Sequence, residues 1–373
     1  MASRGQYELH HPPPSLPRRA AALSEPGEEG IACVSPFSPA GTAGRRAPRR
    51  AVRFAPGRSL AERRLETVMP ASALMNVMVG AARKAGRSLA RDFGEVEQLQ
   101  VSIKGPANFV SAADLRAEEI IHAELSKARP DYGFLMEEGG TIAGRDASHR
   151  WIVDPLDGTT NFLHGIPMFA ISIGLEREGQ LVAGLIYNPI SDELFAAEKG
   201  KGAFLNDKRR LRVAARKQLA DVVVATGIPH RGRTGHKRFL NEMQEAMQDV
   251  AGIRRTGSAA LDLAWTAAGR FDGYWERNIQ AWDMAAGIVI VREAGGICTD
   301  LSGSDQMLAK GEVICGNLAI HKALLGVVGD PPPEPHPLPV NDLLAEVRNH
   351  RAAAAAVWPN YPLGCASAAE GSG

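Results

Sequence analysis

Trp151-Ile-Val-Asp-Pro-Leu-Asp-Gly-Thr-Thr-Asn-Phe162 opens as an apolar run and closes on turn and hydroxyl residues. The run reads as a buried strand. Asp154 and Asp157 stand on either side of Pro155, whose ring holds the local backbone extended, so both carboxylates can face one place. Gly158, Thr159 and Thr160 suit a tight turn into a helix N-terminus. Such a terminus presents free backbone N–H groups, which seat anions such as phosphate. Two carboxylates beside an anion seat repel the anion unless a cation lies between them. Hard cations such as Mg²⁺ take oxygen ligands and bridge carboxylate to phosphate. The stretch therefore points to metal-assisted chemistry on a phosphate. The plainer alternative is a strand, a turn and a helix cap with acidic surface residues.

Upstream, globular patterning begins near Pro70. Leu74, Met78, Ala81, Ala85 and Leu89 recur at helical spacing, with Arg83, Lys84 and Arg87 on the other side. Residues 101–114 read as a short strand and a loop, and a second helix is predicted from about 115 to 127. Phe134-Leu-Met-Glu-Glu138 runs a strand into two glutamates shortly before the Asp154 strand, so both strands are expected to bring carboxylates to one site. Downstream, 169–175 and 181–187 read as a hairpin turned at Gly179, with shorter strands at 194–197 and 203–206, an antiparallel block. Asp221–Thr226 opens a second half, with helices over 236–249 and 258–268 and strands near 252–255 and 271–276. Residues 282–296 read as a helix closed by glycine; strands at 297–300 and 312–315 and a helix over 317–326 complete the pattern.

The chain of 373 residues carries a net charge of +1 and is 45% hydrophobic, which suits a sizeable core and argues against a strongly basic nucleic-acid binder. Cys33, Cys298, Cys315 and Cys365 form no C-x-x-C pair, so neither a zinc cage nor a disulfide framework is indicated. No apolar run reaches the roughly 20 residues needed to span a bilayer. A reducing, cytoplasmic setting is the expectation. Residues 1–68 are rich in arginine and proline and poor in periodic apolar residues, so they read as a disordered extension, with Met69 as an alternative start. Residues 330–373 read as a disordered tail, with a short helix over 340–356.

Met136-Glu-Glu138, the Trp151–Phe162 stretch, and Trp282-Asp-Met-Ala-Ala-Gly287 with Glu293-Ala-Gly-Gly296 occur in an order that resembles the inositol monophosphatase family of lithium-sensitive, magnesium-dependent phosphatases. Lys104 through Asp114 also resembles that family's lysine-to-aspartate loop. The resemblance implies an α/β fold, a layered αβαβα sandwich with two sheets. It implies a catalytic domain over 69–329, with a metal-binding half at 69–215 and a C-terminal half at 216–329. Glu137, Asp154 and the Leu156 carbonyl would hold one Mg²⁺, and Asp154, Asp157 and Asp283 a second. Taken by itself, Asp283 in a first helical turn is as readily a simple cap. Thr159 and Asp114 would orient and deprotonate the attacking water, with Glu137 completing the catalytic set. The backbone N–H groups of Gly158 and Thr159 would hold the phosphate, Asp157 would also touch the substrate, Glu276 would bind its hydroxyls, and Ala259 would line the same pocket.

The expected reaction is Mg²⁺-dependent hydrolysis of a small phosphomonoester, foremost inositol 1-phosphate, by metal-activated water. The phosphorylated polyol is the expected partner, with a homodimer as the assembly. Histidinol phosphate, fructose 1,6-bisphosphate and a nucleotide 3′-phosphate are alternative substrates. A different class of reading is a binding partner of RNA or the transcription machinery with secondary phosphatase activity, which the arginine-rich extension would serve.

Overall fold

The computed structural model describes residues 72–95, 101–105, 108–230 and 232–330. The expected extension over 1–68, Met69, and the tail beyond 330 with its short helix lie outside the described residues, as do Cys33 and Cys365.

The chain begins with α1 (Ala73–Phe93), started by Ser72, whose hydroxyl accepts from the Met75 backbone N–H at 3.0 Å. Met75, Met78, Ala82, Ala85 and Leu89 form its buried stripe. A hairpin of β1 (Val101–Gly105) and β2 (Asn108–Ser111) leads straight into α2 (Ala112–Ala128). The expected strand and loop over 101–114 is thus a hairpin, and Asp114 lies in the first turn of α2, not in a loop.

Next come β3 (Tyr132–Met136), β4 (Gly140–Ile142), β5 (Asp146–Asp157), a short α3 (Thr159–Leu163), β6 (Ala170–Arg177), β7 (Gln180–Asn188), β8 (Glu193–Glu198), β9 (Gly202–Leu205) and β10 (Arg209–Arg210). Together, β3 to β10 form a sheet of eight strands, in the order β10-β9-β8-β7-β6-β5-β3-β4. Glu178 and Gly179 turn β6 into β7, both with positive φ (51° and 74°), the conformation a two-residue hairpin of this hand requires.

After a 3₁₀ turn at Leu219–Asp221 come β11 (Val223–Thr226), α4 (His236–Asp249), β12 (Gly252–Arg254), α5 (Ala259–Ala267), β13 (Gly273–Arg277), α6 (Ala281–Glu293), β14 (Ile297–Thr299), α7 (Met307–Lys310), β15 (Glu312–Gly316) and α8 (Leu318–Val328). Their strands form a second sheet, ordered β12-β11-β13-β15-β14.

The layers follow from which faces are apolar. One core packs α1 and α2 onto the first sheet around Trp151, Phe162 and Phe169. A second fills the space between the sheets with α5 and α6. A third packs α4 and α8 onto the outer face of the second sheet around Trp275. This is an αβαβα sandwich. The middle helix α6 is buried continuously from Met284 to Val291, as a helix enclosed between two sheets must be. No described helix is long and apolar enough to cross a membrane.

Candidate active site

In a regular strand, residues three apart point to opposite faces. Asp154 and Asp157 escape that rule because β5 carries a bulge between them. Asp154 pairs with Ser172 of β6, and Asp157 with Ala170, so β5 spends one extra residue over this interval. Pro155 lies within it, where a missing backbone donor costs the ladder nothing. The turn is closed by the Leu156 N–H donating to Asp154 Oδ1 at 2.8 Å, while the Leu156 side chain is buried in the core.

The same register brings two more carboxylates in. Parallel pairing of β3 with β5 sets Met136 beside Val153, and the Glu137 N–H donates to the Val153 carbonyl at 3.2 Å. Glu137 therefore emerges next to Asp154. On the other side, the Ser172 hydroxyl donates to the Trp282 carbonyl at 3.0 Å, tying the start of α6 to the residue opposite Asp154. Asp283 follows directly. Its Oδ2 accepts from the Gln280 N–H at 2.7 Å, so it does cap α6. It also joins Asp154 and Asp157 in a cluster whose carboxylate oxygens lie within 4.8 Å of one another. Capping and clustering are both true of this residue.

Asp157 is held from the second sheet's side of the molecule. Ser258 caps α5 by accepting from the Leu261 N–H, and its hydroxyl donates to Asp157 Oδ2 at 2.5 Å. The Ala260 N–H donates to the same oxygen at 2.7 Å. Behind Asp157 the chain turns at Gly158 (φ 97°), where a Cβ would sit 2.9 Å from the Met168 carbonyl oxygen, so only glycine fits. Thr159 Oγ1 then lies 3.2 Å from Asp114 Oδ1 and 3.1 Å from the Leu156 carbonyl oxygen, so its single proton has two acceptors. Asp114 is fully buried, with the threonine between it and the cleft.

A cleft of about 180 Å³ extends from this acidic end to a wall made by the second half. Glu276 stands there, fixed by the Tyr274 hydroxyl donating to its Oε2 at 2.6 Å. Gly227 backs it so closely that a Cβ on Gly227 would fall 1.8 Å from Glu276 Oε1. Ala259, Arg255, Arg233 and His230 complete this wall. Arg277, next to Glu276, turns away and pairs with Glu242, Glu312 and Asp330. His164 sits after α3 and donates from Nδ1 to the Thr160 carbonyl at 2.7 Å, outside the lining of the cleft.

Burial governs the charges. It pushes Asp154 and Asp283 well above the usual carboxylate range, and neighbouring carboxylates push the same way. Burial also raises Asp157 to about 6, against the opposing hydrogen bonds from Ser258 and the α5 backbone. Glu276 is raised to about 7, again by burial first, with the Tyr274 hydrogen bond opposing. Two full charges at the separation in the cluster repel by about 3 kcal/mol at an effective dielectric of about 20. A site that gathers carboxylates against that cost is one that gains from a cation. The clustered donors are all carboxylate oxygens, the set a hard divalent ion prefers. Asp154, Asp157 and Asp283 would hold it, with Glu137 beside them.

All ten residues picked out from the sequence lie in one region. Glu137, Asp154, Leu156, Asp157, Gly158, Thr159, Ala259, Glu276 and Asp283 line the cleft, and Asp114 stands behind Thr159. Sequence reading missed Ser172 and Ser258, which position the acids, and Asp262, which also lines the cleft. Only Ser258 carried a local signal, as a capping residue before an apolar helical run.

The profile of the inositol monophosphatase family matches residues 71–330. The Inositol-1-monophosphatase of Mesorhizobium japonicum is 63% identical over 263 residues, which are 70% of this chain and 98% of that protein. The Nus factor SuhB of Pseudomonas aeruginosa is 42% identical over 259 residues, 68% of this chain and 95% of that one. The crystal structure of extragenic suppressor protein suhB from Bartonella henselae aligns with a TM-score of 0.67 at 62% identity, covering 69% of this chain and 98% of that one.

Proposed function

Because this chain belongs to the inositol monophosphatase family, a family of metal-dependent phosphatases, we propose that it hydrolyses inositol 1-phosphate to inositol and phosphate with Mg²⁺ as its ion. The observation that carries this reading is the pairing, in one cleft, of an acidic cluster at one end with Glu276 at the other. The first end suits a phosphate neutralised by a cation, and the second suits hydroxyl groups.

Phosphate monoesters react extremely slowly unaided, so a catalyst must neutralise the phosphoryl oxygens and present an aligned nucleophile. Bound Mg²⁺ supplies Lewis-acid neutralisation and lowers the pKa of water. The chain's own residues do the rest. Thr159 and Asp114 form a proton path: a water donating to Thr159 Oγ1 lets the threonine proton move toward Asp114 Oδ1, 3.2 Å away. The N–H groups of Gly158 and Thr159 receive phosphate oxygens. Ser258 and the Ala260 N–H keep Asp157 oriented. Ala259 and Glu276 contact the inositol hydroxyls. The active chain is read as a cytoplasmic homodimer inhibited by Li⁺.

Phosphate release from inositol 1-phosphate, fructose 1,6-bisphosphate, histidinol phosphate and 3′-phosphoadenosine 5′-phosphate tests the reading. Each is run with Mg²⁺, with chelator and with added Li⁺. Release favouring inositol 1-phosphate, lost with chelator and suppressed by Li⁺, supports it. Preference for another substrate reassigns the alcohol, and no release from any overturns the phosphatase reading. The relative called Nus factor SuhB favours a second reading, a partner of the transcription machinery. Salt-sensitive RNA binding that persists in an inactive Asp154→Asn variant would support it.

A further inference from the structure

Asp262 is the only ionisable residue in α5, whose sequence is otherwise small, apolar or hydroxylic. It is 1% exposed, yet it lines the cleft. A buried carboxyl group is costly to keep, and neither the acidic cluster nor the phosphate seat uses this one. An ordinary first-turn carboxylate would serve the helix dipole equally well from the surface.

Its surroundings are built. The Thr256 hydroxyl donates to Asp262 Oδ1 at 2.7 Å, fixing the side chain from the loop before α5. Glu276 is fixed in parallel by Tyr274 and by the bare Cα of Gly227. Glu276 and Asp157 both bear electrostatically on Asp262, as does Arg255, so the three acids and the arginine share one neighbourhood. Two immobilised carboxyl groups close together in the cleft, beside Asp157 and outside the acidic cluster, match a partner rich in adjacent hydroxyl donors.

We propose that Asp262 is a specificity-determining residue that works with Glu276 to receive neighbouring hydroxyl groups of the leaving alcohol. This rests on the reading of the substrate as a polyol phosphate. A buried acceptor left without its hydroxyl is penalised, so a pair of them rejects phosphate esters that lack a polyol more sharply than one could.

The test is Asp262→Asn in the full chain, which keeps the volume and an acceptor for Thr256. Steady-state rates are measured on inositol 1-phosphate and on p-nitrophenyl phosphate, whose alcohol offers no second hydroxyl. The expected result is a fall of at least about 10-fold in the ratio of kcat/KM for inositol 1-phosphate to that for p-nitrophenyl phosphate, carried mainly by KM. Equal losses on both substrates, or an unchanged ratio, overturn the assignment. Thr256→Val, which releases the Asp262 side chain, should lower the same ratio by a smaller factor, and keeps the test open if the asparagine variant folds poorly. A wild-type chain with no preference for inositol 1-phosphate over p-nitrophenyl phosphate overturns the polyol reading itself. A wild-type preference that survives in the variants overturns only the role of Asp262.

Discussion

The Ser258 hydroxyl reaches Asp157 Oδ2 at 2.5 Å and joins residues 101 positions apart. The bond holds a proposed ion ligand from the N-cap of the helix that also lines the cleft, so the proposed cation and alcohol sites share one support. Ser258→Ala should weaken apparent Mg²⁺ affinity by roughly 10-fold or more, the usual effect of removing a group that orients a ligand. It also removes a helix cap worth about 1 kcal/mol. Ser258→Thr should restore both. Calorimetric titration with Mg²⁺ checks the first effect and thermal unfolding the second. An unchanged affinity in the alanine variant would show that the bond is structural only.

Gly227 and Glu276 make a prediction of a different kind. A methyl group on Gly227 cannot coexist with the present Glu276 carboxylate, 1.8 Å from the added atom. Gly227→Ala should therefore mimic Glu276→Ala without touching the glutamate. Both should lower the preference for inositol 1-phosphate over p-nitrophenyl phosphate, by about 10-fold. If the two variants rank a substrate panel differently, the wall is arranged otherwise than described.

Asp154 is the most enclosed member of the cluster, at 2% exposure. Asp154→Asn should reduce phosphate release by on the order of 10³ or more, since the lost charge stabilisation amounts to several kcal/mol. The fold should survive. The metal-free variant should melt above the metal-free wild type near neutral pH, because asparagine removes a group that must either take up a proton or carry a buried charge on folding. Near-normal turnover in a folded variant would sink the cation reading.

Much of this was legible locally. Trp151 through Thr160 showed strand, carboxylates and turn in one contiguous run, and the apolar stripe of α1 and the glycine-closed α6 were equally plain. The bulge was not, because a bulge is a relation between β5 and β6 that neither strand shows by itself. Ser172 looked like any small residue in a strand until register placed it opposite Asp154 and beneath Trp282. The first half of β5, from Asp146 to Arg150, was missed because its residues are mostly polar and none is buried, so that pairing with β3 and β6 holds them and not an apolar run. The short β4 and α7, of three and four residues, carry too few positions for any period to show. Asp114 was found, but its place in the first turn of α2 depended on a β1–β2 hairpin read as a strand and a loop, although Gly105-Pro106 is a turn signal.

Thr159 separates chemistry from binding. Its hydroxyl lines the cleft and donates toward Asp114, while the proposed phosphate contact is made by its backbone N–H, which any side chain at this position retains. Thr159→Ala should lower kcat by about 10²-fold, the size of a lost proton-transfer group, with KM within a few-fold. Thr159→Ser keeps the hydroxyl and should recover most of the rate. A loss confined to KM would assign the residue to substrate binding alone.

The acidic cluster also sets a pH dependence of stability whose sign is opposite to that of ordinary surface ion pairs. Asp157 is raised to about 6 and Glu276 to about 7, and Asp154 and Asp283 move in the same direction. In the unfolded chain these groups titrate near about 4. The folded protein thus holds protons that the unfolded chain has released. The stabilisation is fully present below about pH 4 and is lost as pH rises through the folded values, between about 6 and 7. Without metal, melting temperature should fall by several degrees from about pH 5.5 to about pH 7.5, a loss of a few kcal/mol in a chain of this size. Mg²⁺ competes with those protons, so the rise in melting temperature it produces should grow over the same interval. In Asp154→Asn that Mg²⁺-induced rise should shrink at every pH. A Mg²⁺ effect of equal size at both ends of the interval would mean that the ion binds somewhere other than these carboxylates.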